Sequence, residues 1–194
     1  MTNDPRDLIS DSYREMNRQL HEQRPEFGSN QKYGSTKEQD AVAASFILFA
    51  RNNKLKSILD YGCGKGTFKE SAARLAPDMI VTEYDPAISE KDALPTPADL
   101  VLCLDVLEHI EPELLDAVLQ HIRSVTLKGA ILRPSLVPAK KTLPDGRNAH
   151  LILESPGWWQ GKVSKYFNVI SIDSHMNKSN ILVAINLICT PKPA

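Results

Sequence analysis

The chain carries its clearest structural signal at Ser57-Ile58-Leu59-Asp60-Tyr61-Gly62-Cys63-Gly64-Lys65-Gly66-Thr67, where an apolar strand leads into a glycine-rich turn and a helix start. Glycine lets the backbone approach a ligand closely, and a helix start offers free N–H groups. The G-x-G-x-G spacing is tighter than the dinucleotide fingerprint G-x-G-x-x-G. An acid at the strand end, Asp60, suits an ammonium-bearing ligand better than a pyrophosphate. The segment therefore predicts a ligand-binding loop.

A second acidic residue, Asp85, ends the next predicted strand and is followed by Pro86. A carboxylate at the end of a strand can accept hydrogen bonds from both hydroxyls of a ribose. The alternative is that Asp85-Pro86 forms only a turn. Because Asp85 follows the glycine loop by one helix and one strand, the ribose interpretation is favoured.

Strand patterns alternate with helix patterns along the chain. The strands are predicted at residues 56–61, 79–84, 99–104, 130–136, 169–172 and 181–188. The helices are predicted at residues 5–23, from residue 35, at Thr67–Leu75, from residue 111 to a break at Gly129, and at residues 158–167. This alternation predicts an α/β fold with a mostly parallel sheet. The last two strands are joined by a stretch too short for a helical crossover, so we expect an antiparallel C-terminal strand.

Length and composition favour one globular domain over residues 1–194. No apolar run approaches the ~20 residues of a membrane-spanning helix, and the start lacks a secretory pattern, so we predict a cytoplasmic protein without a membrane partner. The net charge of −1 gives no general attraction to nucleic acid, although Lys140-Lys141 with Arg147 could form a local basic patch. The oligomeric state is left open.

Three stretches together resemble the first, second and fourth motifs of the class I S-adenosylmethionine (SAM)-dependent methyltransferases. They are Asp-Tyr-Gly-Cys-Gly-Lys-Gly at 60–66, Glu-Tyr-Asp-Pro at 83–86 and Leu-Asp-Val-Leu-Glu-His-Ile at 104–110. The chain is most similar to the branch that contains the ubiquinone-biosynthesis O-methyltransferases and short phage-encoded enzymes. The resemblance implies a Rossmann-like sheet, SAM as the cofactor and S-adenosylhomocysteine (SAH) as its product. Residues 86–98 are too few for the family's usual helix and strand, so one edge strand is predicted to be missing.

The resemblance also implies the cofactor-binding residues. Asp60 and the 62–66 loop are expected at the methionine part of SAM, Asp85 at the ribose and Leu104 beside the cofactor. The predicted cofactor-binding set comprises Tyr33, Asp60, Gly62, Cys63, Gly64, Gly66, Asp85, Pro86, Leu104 and Asp105. Cys63 is expected to pack within the loop rather than to act as a nucleophile.

Two histidines are the candidate catalytic residues. Methyl transfer needs an aligned acceptor and, for a hydroxyl or ammonium, a base that removes a proton. His109 follows the strand of the fourth motif, and His150 follows a long polar loop, so both are candidates. A structural role for either histidine is the alternative. His21, His121 and His175 carry no motif and are predicted to lie on the surface.

A metal-dependent alternative rests on Asp105, Glu108, His109 and His150. These residues resemble the acid-x-x-acid-His…His pattern of the small-RNA 2′-O-methyltransferases, in which a divalent ion orients the terminal hydroxyls. However, Leu-Glu-His after this strand also occurs in metal-free relatives, and Asp105 replaces a glutamate. We therefore predict no metal.

The preferred function is SAM-dependent methylation of an oxygen or nitrogen of a small molecule. A nucleic-acid or modified-nucleotide acceptor is the first alternative, and a catalytically inactive SAM-binding partner subunit is the second. Residues 1–34 are predicted to form a helix and loop that either cover the active site as a lid or lie on the surface. Four aromatic residues near the C-terminal helix could line an acceptor pocket but are more typical of a core. They are Trp158, Trp159, Tyr166 and Phe167.

Overall fold

The computed structural model describes residues 8–23 and 36–193. The helices are α1 (Asp11–Gln23), α2 (Thr36–Asn52), α3 (Thr67–Leu75), α4 (Leu115–Ser124) and α5 (Pro156–Val163). The strands are β1 (Ser57–Tyr61), β2 (Ile80–Tyr84), β3 (Ala98–Leu104), β4 (Thr126–Arg133), β5 (Phe167–Met176) and β6 (Leu182–Pro191). A 3₁₀ turn, Leu107–His109, follows β3. None of the described helices is long and apolar enough to cross a membrane.

Six strands form one sheet in the order β2-β1-β3-β4-β6-β5. The pairs β1–β2, β1–β3 and β3–β4 are parallel, whereas β6 runs antiparallel to both β4 and β5. Residues 85–97 form neither helix nor strand, so β2 stays at the edge of the sheet among the described residues. The predicted mostly parallel sheet, its antiparallel C-terminal pair and its missing edge strand are confirmed.

Alternating side chains of the central strand β3 pack into two hydrophobic cores, one on each face of the sheet. Leu100 and Leu102 pack with the buried residues of α2 and α3 on one face of the sheet. Val101 and Cys103 pack with α4 and α5 on the other face. Successive strand residues point to opposite faces, so an almost wholly apolar strand indicates a sheet covered on both sides.

The predicted boundary between α4 and β4 was wrong. The helix ends at Ser124 and the strand begins at Thr126, so Gly129 lies within β4 rather than at a helix break. Parallel pairing with β3 begins at Ala98 opposite Thr126, and this pairing outweighs the helical spacing of the apolar residues. β4 ends at Arg133 because the next residue, a proline, has no N–H for the sheet.

The helix predicted at 158–167 begins and ends earlier. The Ser155 side chain caps α5 by accepting a hydrogen bond from the Trp158 N–H, and Pro156 occupies the first turn. The helix ends at Val163, and Phe167 opens β5. Trp159 and Phe167 are buried in the core, which confirms the core interpretation for these two aromatic residues.

A third, smaller hydrophobic cluster joins α1 to the segment after β4. Ile9, Tyr13 and Leu20 form its N-terminal side, and Leu143 and Ala149 form the other side. The hydroxyl of Tyr13 donates a hydrogen bond to the carbonyl of His109 at 2.6 Å. These contacts hold α1 across the end of the sheet where β1 and β3 terminate.

Candidate active site

A cavity of about 520 Å³ lies at the carboxyl end of the parallel strands. Its floor is formed by residues at and just after the carboxyl ends of β1, β2 and β3, and its roof by α1 together with residues of the 137–150 segment. Tyr13, Asn17 and His21 line the roof from a single face of α1, as their four-residue spacing requires. Ligands of open α/β sheets bind at this end of the strands, and the volume is typical of a small-molecule site.

The glycine loop after β1 depends on left-handed backbone conformations. Gly62, Gly64 and Gly66 have φ angles of 75°, 52° and 79°, which side chains other than glycine rarely adopt. Gly62 and Gly64 line the cavity together with Cys63. Gly66 is not among the cavity-lining residues, and a Cβ there would approach Glu83 and Lys91 instead. Of the three predicted glycines, Gly66 therefore belongs to the support of the loop.

Asp85 is buried and fastens the loop to the end of β2. One carboxylate oxygen accepts a hydrogen bond from the Gly64 N–H at 2.9 Å, and the other accepts one from the Ala87 N–H at 3.0 Å. Each carboxylate oxygen has a second lone pair, so both can still accept hydrogen bonds from a ligand. Asp85 and Pro86 both line the cavity.

Asp60 is the second buried acid of the cavity. Burial raises the pKa of its carboxyl to about 7, assisted by the negative charges of Glu83 and Asp85, whereas the positive charge of Lys91 acts in the opposite direction. A buried carboxyl of this kind gains from a cationic partner that replaces the lost hydration. Asp60 can therefore accept a ligand ammonium in place of water.

At the end of β3, Leu104 and the following residue, Asp105, line the cavity as predicted. Asp105 has a positive φ of 56°, and its carboxylate pairs with the buried guanidinium of Arg133 at 2.9 Å. Sequence reasoning missed Arg133, because it sits in β4 at a position that reads as part of an apolar strand. Burial raises the pKa of the Cys63 thiol, which opposes thiolate formation and favours its packing role.

His109 and His150 lie together on the other side of the cavity. Their rings are nearly perpendicular, with centroids 4.7 Å apart. Nδ1 of His150 lies 2.6 Å from the carbonyl oxygen of Val137. Because a carbonyl can only accept, Nδ1 carries the proton, and Nε2 of a neutral His150 is left with a lone pair. This Nε2 lies 3.9 Å from the buried carboxylate of Glu108.

Three of the four residues in the metal-dependent alternative come together. Glu108, His109 and His150 each offer one ligand atom, and these atoms lie within 4.8 Å of one another. Asp105 is not part of this group and pairs with Arg133. The three side chains have the chemistry to hold a divalent ion, and the absence of a metal stays a prediction.

The surface prediction was wrong for two of the three remaining histidines. His21 lines the cavity, because the face of α1 that carries it is turned inward. His121 is buried in α4, and its Nδ1 lies 2.8 Å from the hydroxyl of Tyr61. Its place on the apolar face of α4 was the signal that could have revealed this. His175 is exposed as predicted.

Some of the other predicted residues line the cavity and others do not. Lys140 and Lys141 line it, whereas Arg147 lies with its guanidinium 5.9 Å from the ring centre of Tyr13. The four C-terminal aromatic residues are not among its lining residues. Tyr33 lies outside the described residues, so its cofactor role stays a prediction.

A sequence model of the family described as "Methyltransferase domain" matches residues 35–174. Since the match spans most of the chain, the protein belongs to the methyltransferase domain family. The resemblance to class I SAM-dependent methyltransferases and the identification of an enzyme are therefore confirmed. The chain is also 34% identical to the mitochondrial ubiquinone biosynthesis O-methyltransferase of Schizosaccharomyces pombe, over 29% of this chain and 29% of that protein.

Solved structures of two methyltransferases have a similar fold. Magnesium protoporphyrin IX methyltransferase from Synechocystis PCC 6803, with bound SAM, has a TM-score of 0.63 and 15% identity, covering 93% of this chain and 97% of that chain. The 1,6-didemethyltoxoflavin-N1-methyltransferase of Burkholderia thailandensis, with its namesake compound and SAH bound, has a TM-score of 0.63 and 13% identity, covering 94% and 90%. These similarities confirm the Rossmann-like methyltransferase sheet.

Proposed function

We propose that this protein transfers the methyl group of SAM to an oxygen or nitrogen of a small-molecule acceptor. The observation that carries the proposal is a single cavity with two chemically different sides. The strand order β2-β1-β3-β4 places the glycine loop, Asp60 and Asp85 at the β2–β1 side of the cavity, and His109 and His150, which follow β3 and β4, at the other side. Family membership supports methyl transfer, and the separation of the two sides supports a cofactor compartment beside an acceptor compartment.

The cofactor side fits SAM in charge and shape. The buried Asp60 carboxylate would receive the ammonium of the methionine part, and the buried Asp85 carboxylate would receive the ribose hydroxyls. Gly64 would let the ligand lie close to the backbone. SAM supplies a methyl group that is already reactive, so the protein needs to align the acceptor and manage its proton.

The acceptor side supplies the base. Nε2 of His150 would take the acceptor proton as the oxygen or nitrogen gains the methyl group. The hydrogen bond from Nδ1 to Val137 fixes the ring, and the Glu108 carboxylate at 3.9 Å would stabilise the imidazolium that forms. His109, beside the same ring, is the alternative base.

The position of α1 over the cavity favours a small acceptor over a nucleic acid. We infer that α1, which lies within the described residues 8–23, acts as a lid, because Tyr13, Asn17 and His21 line the cavity from this helix. The net charge of −1 offers little attraction to a polyanion. The paired cofactor acids argue against an inactive partner subunit, and a cytoplasmic location stays a prediction.

Replacement of Asp85 by alanine tests the cofactor assignment. We expect the affinity for SAM to fall at least tenfold, because two charge-assisted hydrogen bonds of about 1.5–3 kcal/mol each would be lost. Isothermal titration calorimetry with SAM and SAH measures this. Asp78→Ala is the matched control, since Asp78 is an exposed acid paired with Arg51. Equal affinities of the wild type and Asp85→Ala would contradict the ribose role.

A further inference from the structure

The segment between β2 and β3 returns to the glycine loop although it contains no helix or strand. The Asp85 N–H donates a hydrogen bond to the carbonyl of Lys91 at 3.0 Å, and the Lys91 N–H donates one to the carbonyl of Ile88 at 2.8 Å. These two turns fold residues 85–91 back on themselves. The side chain of Lys91 is thereby brought to the base of the cofactor side of the cavity.

The ammonium of Lys91 joins two parts of the site. Its Nζ donates a hydrogen bond to the carbonyl of Gly64 at 3.0 Å and lies 3.2 Å from a carboxylate oxygen of Glu83. The side chain of Lys91 is only 20% exposed, and that of Glu83 is 13% exposed. An ion pair screened from water in this way holds its geometry better than a surface pair.

Gly66 leaves room for this ion pair. A Cβ at Gly66 would lie 2.7 Å from Nζ of Lys91 and closer still to a carboxylate oxygen of Glu83. Any side chain at this position would therefore displace the pair. This explains why residue 66 is a glycine although it does not line the cavity.

We propose that Lys91 is a positioning residue of the SAM site, which holds Gly64 in its contact with Asp85 and supplies positive charge among the surrounding acids. Gly64 is held through both of its flanking peptide groups, because its N–H donates to Asp85 and its carbonyl accepts from Lys91. The inference rests on the proposed SAM function of this loop. It adds a residue that none of the three sequence motifs contains.

The charges around Asp60 predict that Lys91 affects the pH dependence of SAM binding. Glu83 and Asp85 raise the pKa of Asp60 and Lys91 lowers it, with a resulting value of about 7. Only the ionised carboxyl attracts the ligand ammonium, so affinity for SAM should fall as the pH falls through about 7. Without the charge of Lys91 the pKa of Asp60 rises, and this fall should begin at a higher pH.

The test compares Lys91→Met, Lys91→Arg and Lys69→Met by calorimetric titration with SAM between about pH 6 and 9. Lys69 is the matched control, since it pairs with the other oxygen of Glu83 but is 51% exposed. We expect Lys91→Met to weaken SAM binding about tenfold or more at neutral pH, the scale of one charge-assisted hydrogen bond. Lys91→Arg and Lys69→Met should stay within about threefold of the wild type.

The pH dependence of SAM binding distinguishes a positioning role that depends on the charge of Lys91 from a purely structural role. We expect the midpoint of the pH dependence to move upward in Lys91→Met and to stay in place in Lys91→Arg. The titration of SAM itself is common to all variants, so it does not affect this difference. Lys91→Gln, which keeps a donor without the charge, replaces Lys91→Met if that variant does not fold, and the same upward shift is expected.

Failure of the proposed function and failure of the role of Lys91 give different results. If the wild type binds neither SAM nor SAH, the proposed function itself is wrong. If the wild type binds SAM and the uncharged Lys91 variant binds it equally well with the same pH midpoint, the role of Lys91 is overturned. An unchanged midpoint with weakened binding also overturns it, because the loss would then not involve the charge.

Discussion

Replacing His150 by alanine is expected to lower turnover about 100-fold and to leave the affinity for SAM within about threefold. Loss of a general base typically costs this much in rate, and a threefold change in affinity corresponds to only ~0.7 kcal/mol. His150 lines the cavity after β4, whereas the two cofactor acids lie at β1 and β2, on the other side of β3. Its Nε2 carries the lone pair that can take a proton. Steady-state release of SAH, with an acceptor found by screening phenols, carboxylic acids and amines, measures turnover.

Two further variants make this test specific. His150→Gln fills similar space but cannot exchange a proton, so its turnover should also fall about 100-fold. His175→Ala is the matched control, because His175 is exposed on the edge strand β5. If His150→Ala turns over normally, His150 is a bystander and His109 becomes the candidate base. If its affinity for SAM collapses instead, His150 serves the cofactor or the fold.

Replacing Gly64 by valine is expected to abolish detectable SAM binding. A β-branched residue at a φ of 52° is strained, at a cost of about 1–2 kcal/mol, and Gly64 lines the cavity in which we propose that SAM binds. The substitution would also disturb the hydrogen bonds that Gly64 makes with Asp85 and Lys91. Calorimetry with SAM measures the binding, and circular dichroism measures the fold.

Gly157→Val is the control for the glycine substitution. Gly157 lies in the first turn of α5, and a Cβ there would meet nothing within 4 Å. This variant should keep both its fold and its affinity for SAM. A folded Gly64→Val protein that binds SAM like the wild type would show that the glycine loop is only a turn.

Much of the cofactor side could be predicted because its residues follow strands directly. Asp60, Asp85 and Leu104 lie at or just after the carboxyl ends of β1, β2 and β3, and parallel strands bring these ends to one edge of the sheet. A local motif then suffices to bring distant residues together. The missing edge strand was predictable for a similar reason, since the number of residues between Asp85 and β3 limits what they can form.

The remainder of the site depends on contacts between distant segments, which no local pattern records. Tyr13 reaches the carbonyl of His109 across 96 positions, and this contact accompanies the turn of α1 toward the cavity. Lys91 lies in an irregular segment whose direction is set by its own turns. In the sequence, Arg133 is one polar residue within an apolar strand. Its role becomes visible only in the structure, where it pairs with Asp105, the residue after β3. The boundary of β4 was missed for the same reason, because pairing with β3 decides where it begins.

A crystal structure of the protein with bound SAH would show whether this cavity is the cofactor site and how the cofactor is oriented in it. We expect the ribose hydroxyls to contact Asp85, the amino group to lie at Asp60, and the sulfur to face the side of the cavity that holds His109 and His150. SAH bound outside this cavity, or bound within it with the sulfur turned away from both histidines, would show that the proposed cofactor and acceptor sides are wrong.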